Sequence, residues 1–529
     1  MNVGASSSQA GGARMKSFFD GADWDARGQR WWSHVRVLAD DSMEGRDTGS
    51  RGYQRAADYV TEQFRKAGLE PAGVDGFRQP VDFEVFQLDE KESSANLILN
   101  GSNRAIKLRE DAQFGVSSQT APDLEVEAVF VGYGLEIPEL NYSDLAGLDL
   151  RGKIAVFFRG GPSSLPTPIK AHYNSPEERN RSLRKAGVVG VISLANPKVP
   201  DLPWPRMATG LLLPRMELKE GGPPESRPLP LVMLFNPNRF DLLVEGSGHT
   251  VSEIMQGLGG PGPLPRFPLA FRLRSHVKVR HWTATCSNVV GVLRGSDASL
   301  RDEYVVGTAH LDHLGIGEPI NGDSIYSGAM DNASGIATLI EIARLLRDSG
   351  AKPKRSILFL AVTGEEKGLR GSEHFARHPT VSGDLVADLN MDMFLPLFPF
   401  THLEVQGLEE SSLGPKLRTI ASQAGIETHG AHVPDQVLFI RSDQYNFVKI
   451  GVPSLMLSID YKPGSPEEKI AGAFFRDRYH APADDTEQPI DLPAAAQFTD
   501  LLGHLMLEVA NDSPRPTWNP DSFFRKFAR

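Results

Sequence analysis

Five side chains of metal-ligating type, His310, Asp331, Glu366, Asp392 and His480, fall where a fold can gather them. Two imidazoles and three carboxylates, with no thiolate among them, suit zinc, cobalt or manganese. A carboxylate bridging two ions about 3.5 to 4 Å apart is a usual device of metal-assisted hydrolysis. Asp331 is the natural bridge. Scattered surface acids are the ordinary alternative, yet four of the five directly follow an apolar run or precede a helix. Partly buried without cations, such a cluster would cost several kcal/mol per charge.

The elements that must hold these groups are written in the hydrophobic pattern. Val305 and Val306 read as a short strand ending at His310 and Asp312, and Ile357 to Val362 as a strand buried on both faces ending at Glu365 and Glu366. Between them Ala333, Ile336, Ala337, Ile340, Ala343 and Leu346 recur at helical spacing, with Asp331 just before the helix start. Leu385 to Asp392 is a further strand ending in an acid, and His480 lies in a loop. Acids at strand C-termini are the geometry in which open α/β sheets place their sites. Asp312, two residues from His310 on the same strand face, is expected to accept that imidazole's other N–H. His313, three residues away, is expected on the opposite face in a structural role.

Beyond this stretch the chain has 529 residues, 40% hydrophobic and 23% charged, enough for two or three domains. A net charge of −11 speaks against nucleic acid, and no apolar run reaches the roughly 20 residues needed to span a bilayer. Cys286 stands alone, so no intrachain disulfide forms. Residues 1–25 read as disordered or linker and show no apolar signal-peptide core; for an exported protein, the signal is expected to be absent from this numbering. A helix with Tyr53, Ala56, Ala57, Val60, Phe64 and Ala67 on one face stops at Gly68. Around Thr120 the pattern changes to short strands and proline-rich turns, whereas Ser287 to Leu293 leads straight into the metal-type stretch. We therefore expect one discontinuous domain, 26–117 with 286–515, interrupted by an inserted domain, 118–285, and followed by a tail, 516–529. A helix from Leu492 to Ala510 closes the core.

The segments HLDHLG, MDNASG, TGEEKGLRGSEHF, NMDMF, RSDQYNF and YHAPADD resemble the zinc-dependent aminopeptidases related to aminopeptidase Y and bacterial leucyl aminopeptidase. That family includes glutamate carboxypeptidase and the non-catalytic transferrin receptor. VGYGLE, LRGKIAVFFRGG and LRKAGVVGVISLANP resemble its protease-associated domain. The resemblance implies a three-layer α/β/α metallopeptidase core with a mixed central sheet, carrying an inserted, mainly-β domain. It implies two zinc ions per chain, with cobalt or manganese as substitutes. One ion is held by His310 and Asp392, the other by Glu366 and His480, with Asp331 bridging and Glu365 as general base. Tyr479 matches an oxyanion-stabilising tyrosine, with packing as the alternative. Arg441 matches an arginine placed to contact substrate, with a structural ion pair as the alternative. Gln444 stands where relatives commonly have histidine, which puts in doubt any role taken from that residue. From the residues themselves, Phe398 in MFLPLFPF walls a pocket for the substrate side chain or packs in the core. The function implied is an exopeptidase acting on peptides, an aminopeptidase first. A carboxypeptidase of the glutamate carboxypeptidase type stands as alternative, and a glutaminyl cyclase or a non-catalytic binding protein stands further off. Relatives of this architecture are usually exported, so a periplasmic or secreted location is expected; the oligomeric state is left open.

Overall fold

The computed structural model describes residues 17–19, 23–199, 202–433 and 436–528. Most of the 1–25 stretch, expected as linker, lies outside them. Of its described part, Ser17 and Phe18 donate to the buried Asp500 carboxylate, which also accepts from Arg27 at 2.6 Å. The first helix, Trp24–Leu38, is capped by Asp23, whose carboxylate accepts the Ala26 N–H. Ser50 does the same for Arg51–Lys66 through Tyr53, and Gly68, at φ +77°, follows that helix in the left-handed conformation.

Among the described residues, one sheet of 16 strands runs through the molecule. From one edge it passes Glu427–His429, His402–Gln406, Ser454–Asp460, Asp384–Asn390, Glu303–His310 and Ser356–Val362. It then crosses Phe267–Leu293 and continues through Asp123–Phe130, Ile154–Phe158, Gly190–Leu194 and Leu231–Phe235 to Ala112–Gly115. Glu303–His310 pairs in parallel with both Ser356–Val362 and Asp384–Asn390. Ser356–Val362 shows how this sheet builds layers. Ile357, Phe359 and Ala361 pack in the core that holds Ser334–Asp348, Leu492–Asn511 and Trp24–Leu38, whereas Leu358, Leu360 and Val362 pack with Phe375 and Phe447 on the other face. Every residue of that strand is apolar after Ser356 because both faces are covered. This is the expected three-layer arrangement with a mixed sheet. No described helix is long and apolar enough to cross a membrane.

Two very long strands, Arg78–Leu99 and Phe267–Leu293, pair antiparallel from Arg78↔Val289 to Ile98↔Arg272, with an irregularity between His276 and Lys278. They run from the main core into a second one. Phe86, Leu88, Ala95, Leu97, Ile106, Phe114 and Val116 all belong to that second core, with Phe130, Val156 and Phe235. The chain has thus crossed over well before residue 118, where the composition changes. A strand that alternates buried and exposed positions keeps the same hydropathy while it passes from one core to the next. The 516–529 segment is packed as well: Trp518 and Phe524 join Ala171 of the inserted part with Phe439, Ile440, Tyr445 and Val448.

Within that junction His172 is 4% exposed, with Nδ1 2.7 Å from the Tyr445 hydroxyl. Burial, helped by the charge of Lys526, pushes its pKa down to about 3. The unfolded chain then binds the extra proton between about pH 3 and 6.5, so the stability His172 lends is present above pH 6.5 and is lost as pH falls. The wild-type margin over His172→Gln should shrink by about 1.4 kcal/mol per pH unit below 6.5. Urea titrations of both proteins at pH 7.5, 6 and 5 measure it, and a margin constant with pH refutes it.

Candidate active site

Strand ends and the turns after them bring the five residues together. His310 is the last residue of its strand and 1% exposed. Its Nδ1 lies 3.0 Å from the Asp312 backbone carbonyl, which fixes the proton there and turns Nε2 inward. Nε2 is 3.2 Å from Asp331 Oδ1 and 3.2 Å from Asp392 Oδ1. On the other side His480 Nε2 is 3.2 Å from Asp331 Oδ2 and 3.4 Å from Glu366 Oε2. The two oxygens of Asp331 therefore face two different donor sets.

Asp312 acts differently from the expectation. Its backbone oxygen meets the imidazole, and its carboxylate turns to the glutamate pair: it accepts the N–H groups of Glu365 and Glu366 at 3.1 and 3.3 Å, and the Thr48 hydroxyl at 3.0 Å. It thus holds the turn that follows Ser356–Val362. His313 corrects a second expectation. Its Nδ1 lies 2.9 Å from Glu366 Oε1 and 3.7 Å from Asp331 Oδ2, inside the cluster. The strand ends at His310, so the alternation that would have sent residue 313 to the far face stops too early.

Two residues that the sequence pattern does not single out hold the Asp331 turn. The Asp484 carboxylate accepts the N–H groups of Met330 and Asp331, each at 3.0 Å, and Gln488 donates to it at 2.6 Å. Arg46, fully buried, donates to the carbonyls of Leu311 and Gly328 at 2.9 Å and of Leu38 and Ser327 at 2.6 Å. Burial lowers its pKa to about 10 against the pull of Asp484, Asp331, Asp312 and Glu366. Asp484 lies in the quoted YHAPADD segment and Arg46 in the turn before the second helix, so each was visible as a residue though not as a partner. Gly335 closes the turn: a Cβ there would sit 2.5 Å from Asn332 Oδ1 and 2.6 Å from the Met391 carbonyl.

The field of the cluster favours positive charge. His480 is pushed up to about 10, burial opposing and Glu366 prevailing; His310 is raised well above its usual range by Asp392 and Glu365, again against burial. Glu365 is pushed well up too, by burial and then by Glu366 and Asp392, although His310 pulls it down. A cation fits the donor set. Ligands about 2.0 to 2.1 Å from a tetrahedral zinc lie about 3.3 Å from one another, close to the spacings here. Both ring nitrogens of His313 and Glu366 Oε1 are buried without a hydrogen-bond partner, although Nδ1 and Oε1 are 2.9 Å apart, as two ligands of one ion would be.

Tyr479 stacks at a tilt on His480, centroids 4.1 Å apart, and its pKa is pushed well up by burial and by Asp331, with Arg441 pulling it down. Arg441 itself is exposed. Phe398 is 4% exposed in the main core with its ring edge-on to Tyr461, which is the packing alternative and leaves a pocket role without support. Gln444 is buried, accepting from Asn390 Nδ2 at 2.8 Å and donating to the Phe439 carbonyl at 2.9 Å. From the inserted part, Arg206 donates to the carbonyls of Tyr479, Phe475 and Arg476.

Comparison with known proteins agrees with this geometry. The sequence model of peptidase family M28 matches residues 288–506. A "Probable zinc metalloprotease" of Pyrenophora teres f. teres (strain 0-1) is 37% identical over 108 residues, 20% of this chain and 22% of the relative. Aminopeptidase NAALADL1 of Mus musculus is 32% identical over 194 residues, 34% and 24%. The chain thus spans less than a quarter of the length of these relatives. Among solved structures, an aminopeptidase from Aneurinibacillus sp. strain AM-1 superposes with a TM-score of 0.55 at 18% identity, over 95% of this chain and 99% of the other. A peptidase M28 precursor from Shewanella amazonensis SB2B gives 0.50 at 17%, over 94% and 97%. At such identities the likeness is one of fold, and it extends through the inserted part. Residues 288–506 of this chain are therefore a peptidase family M28 domain.

Proposed function

We propose that this chain is a two-zinc exopeptidase that removes residues from the amino end of peptides. The observation that carries the reading is Asp331, whose Oδ1 faces His310 while its Oδ2 faces His480. His310 and Asp392 would hold one ion with Asp331; Glu366 and His480 would hold the other, with His313 Nδ1 beside them as a further nitrogen donor. Bound zinc supplies Lewis acidity and brings the pKa of water from 15.7 to about 7. Glu365 takes the proton of the attacking water on its carboxylate and hands it to the leaving amine. Tyr479, tilted on the His480 ring, can donate its phenolic proton to the oxygen that becomes negative. A site so rich in carboxylates favours the α-ammonium end of a peptide, whereas Arg441, close enough to affect Tyr479, is what a carboxyl terminus would need.

The test is hydrolysis of aminoacyl p-nitroanilides beside N-blocked dipeptides with free carboxyl ends, on protein whose metal content is counted. About two catalytic zinc ions per chain, and cleavage of the free-amine substrates alone, are expected. Cleavage of the blocked dipeptides alone would assign a carboxypeptidase instead. A related prediction concerns the inserted part. Arg206 fixes the backbone beside His480, so Arg206→Ala should lower kcat/KM by about 10- to 100-fold, with the thermal midpoint nearly unmoved because the side chain is only half-buried. Unchanged kinetics would remove the inserted part from the chemistry.

A further inference from the structure

At the far edge of the sheet, strand register collects a second set of donors. His402–Gln406 pairs with Ser454–Asp460 so that His402 faces Asp460, and with Glu427–His429 so that Glu404 faces His429. Directly opposed residues share a face and alternate residues return to it, which puts Glu404, His429 and Asp460 together. Leu403, Val405, Leu457 and Ile459, of the opposite parity, turn into the main core at 0 to 3% exposure. His432 joins from the next loop, its backbone N–H donating to the Glu404 carboxylate at 3.1 Å.

Two buried polar atoms at this edge, His429 Nε2 and Asp460 Oδ2, lack hydrogen-bond partners. His429 Nε2 and His432 Nε2 converge on one oxygen, Asp460 Oδ2, at 3.0 and 2.6 Å, with the rings 4.2 Å apart. Asp460 is 6% exposed, yet neither its Oδ2 nor His429 Nε2 makes a hydrogen bond. His429 Nδ1 is 2.8 Å from the Gly430 carbonyl, which places the proton on Nδ1 and leaves the Nε2 lone pair aimed at a carboxylate oxygen. Lone pair against lone pair at that distance is repulsive unless a proton or a metal ion lies between, and one ion between both rings and the carboxylate answers both contacts at once. A ligating histidine that gives its other N–H to a backbone carbonyl is the usual support of a metal site. His432 Nε2 also reaches the Tyr461 carbonyl at 3.3 Å, a contact that ligation would replace.

We propose that a divalent cation of the zinc type binds Glu404, His429, His432 and Asp460, separately from the His310–His480 cluster. Two imidazole nitrogens and two carboxylates make a donor set for tetrahedral zinc. Held there, the ion clips the loop carrying His432 and the three-residue edge strand Glu427–His429 to the rest of the sheet.

The test is a count of zinc in the full-length protein across a series of buffered free-zinc concentrations, for wild type, Asp460→Asn and the double variant His429→Ala/His432→Ala. Wild type should hold about one more zinc per chain than either variant, with kcat and KM of all three equal and zinc raising the thermal midpoint of wild type above theirs. Asp331→Asn, which removes the bridging carboxylate of the other cluster, should keep that extra ion, so this result stands whatever becomes of the two-zinc reading. Equal zinc content in wild type and folded Asp460→Asn at every concentration overturns the proposal and leaves an imidazolium–carboxylate cluster. Asp460→Asn, nearly isosteric, decides the matter should the double variant fail to fold.

Discussion

Glu365→Gln is expected to lower kcat by about 10²- to 10⁴-fold with KM and zinc content at their wild-type values. Glutamine keeps the volume and one oxygen of the side chain but cannot carry a proton from water to the leaving amine. The site places Glu365 next to Glu366 in sequence, and Asp312 accepts both backbone N–H groups, so the turn that aims the two side chains survives the change. Glu366 remains against His313 and His480, which is why metal should remain. Kinetics and metal analysis on one preparation decide it. A fall in zinc parallel to the fall in kcat would make Glu365 a ligand, and an unchanged kcat would move the base elsewhere.

Arg46→Met should cost about 3 to 5 kcal/mol of unfolding free energy and loosen metal binding as well. The guanidinium is fully buried and reaches four carbonyls. Leu311 adjoins Asp312, and Ser327 and Gly328 lead into the Asp331 turn. Methionine fills similar volume but leaves the buried carbonyls of Leu38, Leu311 and Ser327 unmet, while that of Gly328 keeps the Ala333 N–H, and it removes a positive charge facing Asp484, Asp331, Asp312 and Glu366. Arg46→Lys should fall between, since an ammonium offers three donors from one point where the guanidinium spreads its donors over a plane. Denaturant titration with zinc counted at each step gives both quantities. A loss below about 1 kcal/mol for the methionine variant would show that water reaches these carbonyls.

Strand ends are where one-dimensional patterns say most. His310, Glu366 and Asp392 each follow an apolar run, and Asp331 precedes a helix, so periodicity alone points to them. The same rule misleads at His313 because it extends an alternation past the residue where the strand stops. Asp312 shows another limit: spacing tells that it neighbours His310, but whether its carbonyl or its carboxylate meets the ring depends on a turn 50 residues away. Arg46 and Asp484 support the site through backbone groups, and backbone partners leave no residue type to look for. The buried strand Ser356–Val362 is plain in hydropathy, whereas most of Arg78–Leu99 is not, since VDFEVFQLDEKESS alternates with charges along a strand half open to solvent. The edge cluster at Asp460 is invisible in one dimension because only strand register brings residues 404, 429 and 460 side by side.

The paired Arg78–Leu99 and Phe267–Leu293 strands make the inserted part something other than a flap. A lid turns on a few loose residues; this lobe is joined by a long antiparallel ladder, broken in register once between His276 and Lys278, and to rotate it would mean shearing that ladder. Arg206, reaching from the lobe to the carbonyls of Tyr479, Phe475 and Arg476, ties it a second time beside His480. The same ladder governs how the gene can be cut: excision at the compositional boundaries, 118 and 285, would remove most of Phe267–Leu293 and leave Arg78–Leu99 whole but without its partner, so a shortened chain calls for joints near residues 78 and 289, where the ribbon begins.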